Sequence, residues 1–373
     1  MKPLEVLSIY EESVINESIS FQVRQFHLTQ FLMKHHYPYL LLPFFLVCTA
    51  AGQRLFAAET FLFKENDQKQ LTLSEGSLPV LTYQYNVVEH KNVPQRDRRR
   101  LAGCYVHPLY GINGEILTDS APVDHYHQHG VFWKWPHVEI HEPDGQITHY
   151  DLWTSDTDLH QHFIRWIGKT ISDETATIEV ENGWFIGNPK EGNKIMTEQV
   201  KIIAHRIQKG GDVACRAVDF EFLWQPTTHP IRLRGSEGKS YGGFSMRLKP
   251  FVAEGKSLAE RSDVNRITVP SGIAEEDLLE TPLAWADYTS IFRHPATGVM
   301  HPGGLAFFVP KTQPDYPPTW LTRYYGTLNV GWPGVQGRTF QPGEEIKLCY
   351  RIWIHEGTVT VPQLEKAYGE YTR

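Results

Sequence analysis

"EIKLCYRIWIH", residues 345–355, decides the architecture. Ile346, Leu348, Tyr350, Ile352 and Ile354 occupy every second position. Side chains repeat every two residues along a strand and every 3.6 along a helix, so this segment is a strand with one continuous apolar face. Working outward, strands are also predicted over 80–88, 131–141, 176–181, 201–207, 217–224, 231–234, 243–248, 305–309 and 320–325. "NGWF" at 182–185 and "PGEE" at 342–345 read as hairpin turns between them. The one convincing helix runs over 361–371, opened by Thr360 and Pro362. There is no internal repeat and no long linker. The fold class is therefore all-β: a single large antiparallel β-sandwich domain over 60–373, closed by a short C-terminal helix.

The N-terminal region reads differently. Lys34 and two histidines precede an apolar stretch from about 37 to 51, followed by small residues. That is the layout of a secretory signal peptide, predicted over 33–57, with Met33 as the start and 1–32 as an upstream extension. The apolar run is short and broken by proline, which argues against a membrane span and against stable membrane insertion once the leader is removed. The mature chain is expected in the periplasm or outside the cell. Its three cysteines, Cys104, Cys215 and Cys349, lack the spacing of a zinc site, and an oxidising compartment would allow two of them to pair.

The chain has 373 residues, 41% hydrophobic and 21% charged, with a formal net charge of -7. That balance is globular, and the acidic charge argues against a nucleic-acid partner. The 10 Trp, 17 Tyr and 19 Phe offer flat faces for a sugar or large pieces for a core.

Three segments are candidates to carry chemistry. "DHYHQHGVFWKW", 124–135, places His125, His127 and His129 at alternating positions, on one face if the segment is a strand. Their Cα atoms would then span roughly 13 Å, so one ion bridges two of them at most. A metal site would combine His125 and His127 with His107, and Asp124 would orient an imidazole from behind. A metal-free catalytic cluster and a structural one remain open alternatives. Trp133 and Trp135 share a strand face and would form a wall for a ligand or the core beneath it. "GSEGKSYGGFSMRL", 235–248, resembles a phosphate loop but has Leu233 where a glycine is required. Its glycines read as a backbone turn or a close approach to a ligand, with Lys239, Tyr241 and Arg247 as candidate substrate-binding groups. "AWADYTS", 284–290, offers Asp287 as a general base or hydrogen-bond anchor. Trp320 and Arg323, three apart on a strand, point to opposite faces. That assigns Trp320 to the core and Arg323 to a ligand or to solvent.

Four motifs occur together in one order: "RRLAGCYVHPLYGINGEILTDSAPVDHYHQHGVFWKW" (99–135), "GKSYGGFSMRL" (238–248), "AWADYTS" (284–290) and "YRIWIHEG" (350–357). In this the chain resembles a bacterial, often exported family carrying the label "methane oxygenase PmoA", over roughly residues 78–370. That family's usual run is similar to Asp-His-Pro-His-His-Arg-Gly. Here Tyr126, Gln128 and His129 stand in place of its Pro, the second His of the pair and Arg, while His125 and His127 match. Subunits that oxidise methane in particulate monooxygenase span the membrane, and this chain has no spanning run outside its leader. What the resemblance implies is instead a β-sandwich of the galactose-mutarotase or polysaccharide-lyase kind with a role in carbohydrate metabolism.

The residues and the resemblance together give an exported carbohydrate-active enzyme, an epimerase, lyase or hydrolase, with a small-molecule or carbohydrate ligand. His127 or His129 would transfer the proton, since an imidazole titrates near neutrality, and Asp287 would be its carboxylate partner. Lys239, Tyr241, Arg247, Trp133 and Arg323 would hold the substrate. Two alternatives stand beside this. One is a metal-dependent oxidoreductase with one divalent ion on His107, His125 and His127. The other is a non-catalytic sugar-binding module.

Overall fold

The structure, a computed structural model, describes residues 60–154, 157–252 and 264–373. The leader predicted over 33–57 and the extension 1–32 lie outside the described residues. Every strand pairing is antiparallel. The first sheet has nine strands. In spatial order they are Phe61–Glu65, Gln70–Glu75, Leu78–Gln84, Tyr105–Leu109, Val131–Lys134, Gly243–Arg247, Thr327–Gly331, Thr319–Arg323 and Thr281–Pro282. The second also has nine: Leu159–Ile171, Thr175–Ile186, Lys194–His205, Cys215–Pro226, Ile346–Glu356, Met300–Phe308, Trp285–Arg293, Arg266–Val269 and Gly272–Ile273. A four-stranded sheet adds Arg338–Phe340, Ile231–Arg234, His137–His141 and Ile147–Tyr150.

The two large sheets pack face to face, so each strand sends alternate residues into a shared core. The strand that opened the sequence reading supplies Ile346, Leu348, Tyr350, Ile352 and Ile354, all buried there. Across from them, Phe244 of the first sheet stacks on Tyr350 with ring centroids 4.5 Å apart. Trp133 meets Phe222 at 5.0 Å. Seven tryptophans, 133, 135, 184, 224, 285, 320 and 332, are fully buried. The aromatic richness therefore fills the core, as Trp320 was expected to do.

The C-terminal helix forms over Val361–Tyr371, with Thr360 as its N-cap and Gln363 Oε1 accepting from the Thr360 amide at 2.9 Å. Its buried residues Leu364, Ala367 and Tyr368 cover the outer face of the second sheet over Trp285, Phe308 and Trp353.

Three expectations change. "NGWF" is not a turn: Asn182 and Gly183 lie inside the strand Thr175–Ile186, paired to His162 and Phe163 on one side. A buried hydrogen bond from Asn182 Nδ2 to Glu198 holds it in the sheet. The single strand expected over 131–141 is two strands in different sheets, because Pro136 interrupts the ladder between them. Cys104, Cys215 and Cys349 are all free. Cys215 and Cys349 lie on paired strands, but Cys215 faces His355 and Cys349 faces Glu221, six positions apart, roughly 20 Å along the strand. Among the described residues, no helix is long and apolar enough to cross a membrane.

Candidate functional site

The strand Val131–Lys134 points two ways. Val131 and Trp133 enter the core between the sheets, while Phe132 packs with Ala102, Tyr105 and Trp153 in a separate cluster on the outer face. By the same alternation Lys134 lies on that outer face. So do His107 beside Val106, and Ser245 and Arg247 beside Phe244 and Met246. Ser245, Arg247, Thr327, Asn329, Gln128 and His129 are all buried. A sheet face that is polar yet covered by loops is unusual enough to need a reason.

The histidine segment belongs to one of those loops. It is a pair of turns, not a strand. The His125 amide donates to Pro122 O and the Gln128 amide to His125 O, both at 3.0 Å. The three-histidine row is therefore corrected: Pro122 and the two turns break the alternation. Arg247 fastens the loop from below. It donates to Gln128 Oε1 at 2.8 Å and to both oxygens of Asp124 at 3.0 and 2.8 Å, and it lies 4.6 Å from the Tyr325 ring centre. His125 stacks on the same Tyr325 at 4.8 Å and donates from Nδ1 to Asp124 at 2.9 Å. Burial alone would raise the Asp124 carboxyl, but the hydrogen bonds from His125 and Arg247 outweigh it and hold it below its ordinary value. The sequence expectation of Arg247 as a substrate group is thus corrected to a positioning role, because the side chain is buried and both terminal guanidinium nitrogens bond the loop.

Gly130 ends the loop with a positive φ of 43°. A Cβ there would sit 2.0 Å from Val106 O, so only glycine lets the chain press against the neighbouring strand. That approach brings His129 beside His90 and His107. His90 and His129 stack at 5.0 Å. Ser120 Oγ lies 3.3 Å from His129 Nδ1 and donates to Tyr105 Oη at 3.4 Å, and Tyr105 Oη lies 3.3 Å from His90 Nε2. Three polar contacts and the imidazole stack close the four groups into a ring. His107 Nδ1 meets Thr118 Oγ1 at 3.0 Å. His127 stands apart, 6.1 Å from the Trp153 ring, its Nδ1 buried without a hydrogen-bond partner among the described residues.

These imidazoles are held neutral. Burial, and then the charge of Lys134, brings His90 down to about 4. Burial and neighbouring His90 and Lys249 bring His107 down to about 3. Burial, with His125, Arg99 and Lys134, brings His127 down to about 4. His129 is pushed well below its ordinary value by burial, then by Lys134. Lys134 is the cation shared by His90, His127 and His129. Burial lowers its ammonium to about 8 against the pull of Cys104, Asp151 and Glu198.

Lys134 lines a cleft of about 270 Å³ together with Arg98, Leu101, Ala102, Leu152, Asp158 and the alternating pair His160 and His162. An adjoining cleft of about 240 Å³ shares Val87, Gly103, Gln161 and His162 with it. Behind Lys134 sits Glu198, fully buried. Its carboxylate accepts from the indoles of Trp133, Trp184 and Trp224 at 2.9, 2.8 and 2.8 Å, from Gln161 at 2.9 Å and from Asn182 at 2.8 Å.

The remaining sequence candidates separate. Trp133 is no ligand wall; its ring is in the core and its indole is on Glu198. His129 is only 2% exposed and enclosed by His90, Tyr105 and Phe132, so it supports the site and does not face a ligand. Tyr241 borders the cluster, 4.9 Å from Trp153, on a turn that also carries exposed Lys239. Gly243, at φ 116°, lets that turn enter the sheet. Asp287 is elsewhere. It follows Trp285 by two positions and so faces the helix side of the second sheet. There it takes His355 Nε2 at 2.9 Å and Thr289 Oγ1 at 2.9 Å, in a pair that is fully buried. Arg323 reaches Asp277, 3.6 Å away. The metal triad His107, His125 and His127 does not form: no three His, Cys, Asp or Glu among the described residues are grouped to hold an ion. His125 and His107 each turn Nδ1 to a neighbour in the chain instead.

Sequence reading missed Lys134, His90, Tyr105, His160 and Glu198. A lysine between two tryptophans, "WKW", was the available signal, since a strand whose alternate residues are core tryptophans places the lysine under whatever covers the other face.

No curated protein and no solved structure matches the chain. Residues 70–369 match a family described as "Family of unknown function (DUF6807)", and the chain belongs to that family.

Proposed function

We propose that this protein is an exported carbohydrate-active enzyme that moves a proton on a sugar bound at the outer face of the first sheet. The single observation that carries the reading is that His127 lies within reach of the Lys134 charge. His127 is a neutral imidazole with an unpartnered nitrogen, and Lys134 is a buried cation bordering a cleft. A base that is unprotonated at neutral pH and a cation able to stabilise developing negative charge are what proton abstraction requires. His127 is the base in this reading. Lys134 holds the oxygen on which charge develops, and Leu101 with Leu152, which line the cleft, supplies apolar surface for the sugar ring. The sugar itself comes from the resemblance of the motif chain.

The test is exchange of sugar C–H for deuterium, followed by proton NMR in heavy water across a panel of mono- and disaccharides. The expected result is exchange or turnover of at least one sugar by the wild type, lost in His127→Ala with the thermal midpoint within a few degrees. Binding without exchange, unchanged in His127→Ala, would instead make the chain a sugar-binding module.

A further inference from the structure

Lys134 is 5% exposed and makes no hydrogen bond or ion pair among the described residues. A buried ammonium without a partner is costly, and chains that keep one usually use it. The carboxylates close enough to feel it are already engaged. Glu198 is surrounded by five N–H donors. Asp151 accepts from the Trp153 and Thr154 amides at 2.7 and 2.9 Å and from the Thr154 hydroxyl at 2.6 Å. The next group in front of Lys134 is the cleft.

That cleft is about 270 Å³, at the small end of ligand sites. It has apolar patches at Leu101 and Leu152 and hydrogen-bonding side chains at His160 and His162. Its rim carries a second cation, Arg98, whose side chain is 59% exposed and 3.5 Å from Asp158. A ring-sized molecule with hydroxyls for the histidines and an anion for the ammonium fits this lining.

We infer that the cleft beside Lys134 selects acidic sugars, binding the carboxylate of a uronate or aldonate on the Lys134 ammonium. The inference rests on the carbohydrate reading above and adds the substrate class. The carboxylate supplies the charge that the chain leaves unmatched. A neutral sugar leaves the ammonium unpaired and is rejected for that reason.

The experiment is calorimetric titration of the full chain with matched pairs: glucuronate against glucose, galacturonate against galactose, gluconate against glucitol. Glycolate serves as a carboxylate that is not a sugar. The expected result is that at least one acid binds ten-fold or more tighter than its neutral partner. Its affinity should fall with added salt and be lost in Lys134→Met. The wild-type ratio and its salt dependence decide the matter even if that variant does not fold. Equal affinity for acid and neutral partners, or acid binding that survives Lys134→Met, overturns the inference and leaves the carbohydrate reading standing. Binding of glycolate with no sugar bound overturns both, as does the absence of binding by any compound.

Discussion

The indole of Trp133, on the first sheet, donates to the carboxylate of Glu198, on the second, at 2.9 Å. This bond crosses the core and fixes the strand that carries Lys134. With Trp184, Trp224, Gln161 and Asn182 on the same carboxylate, one acidic side chain satisfies five donors contributed by three other strands and Trp133's own. Glu198→Ala would leave these donors unpaired in an apolar core. The expected loss is about 3–5 kcal/mol, read as a large fall in the urea midpoint. A change under about 1 kcal/mol would mean that the carboxylate is not the tie described.

Lys134→Met should act in the opposite direction. Burial holds the ammonium near 8, against an ordinary value near 10.5, so at pH 7 the folded chain carries a charge it would shed. Removing it is expected to stabilise the protein by about 2–3 kcal/mol while removing ligand binding. The sign follows from the lowered value: between about 8 and 10.5 the unfolded lysine keeps its proton while the folded one has lost it. The wild type therefore gains stability with rising pH across that window, and the advantage of the variant shrinks. Thermal midpoints of both proteins at pH 7 and pH 10 check this.

Arg247→Ala should free the loop over 124–128. The guanidinium is buried, and its partner Asp124 is about a third exposed, so the expected cost is about 2–3 kcal/mol rather than that of a fully buried pair. Limited proteolysis should then cut within this loop, which the wild type resists. Unchanged cleavage would show that Arg247 does not fasten it.

The neutral imidazoles set the acid limb of stability. Folding lowers His90 and His127 to about 4 and His107 to about 3. As pH falls below about 6.5, the unfolded chain takes up these protons first, so stability is full above that value and declines toward pH 3–4. The thermal midpoint should drop from pH 7 to pH 5, and less steeply in His127→Asn. An equal slope in the two proteins would remove His127 from the set.

The strands were legible where one face is purely apolar. Ile346 to Ile354 alternates because its other face meets solvent and the helix, and the helix itself announced its start at Thr360 and Pro362. The reading failed where a strand is buried on both faces or carries a polar core residue. Asn182-Gly183 has the composition of a turn, but Glu198 lies 16 residues away in sequence and supplies the bond that keeps Asn182 in the sheet. The histidine cluster was visible as a group, yet its geometry was not. The turns at Pro122 and His125 are local, but the approach permitted by Gly130 needs Val106 on another strand, and the Arg247 strap joins segments more than a hundred residues apart. Asp287 carried the right chemistry, but its two-residue offset from Trp285 sends it to the helix side, which no local pattern near Asp287 reveals.

The most direct test of the account is histidine side-chain NMR on selectively ¹⁵N-labelled protein titrated with the acidic and neutral sugars. Ligand should perturb His160 and His162, which line the cleft with Lys134, and His127, which feels the Lys134 charge, and leave His355 beside Asp287 unchanged. Perturbation of His355 with the Lys134 cluster silent would contradict the account and put the site on another face of the sandwich.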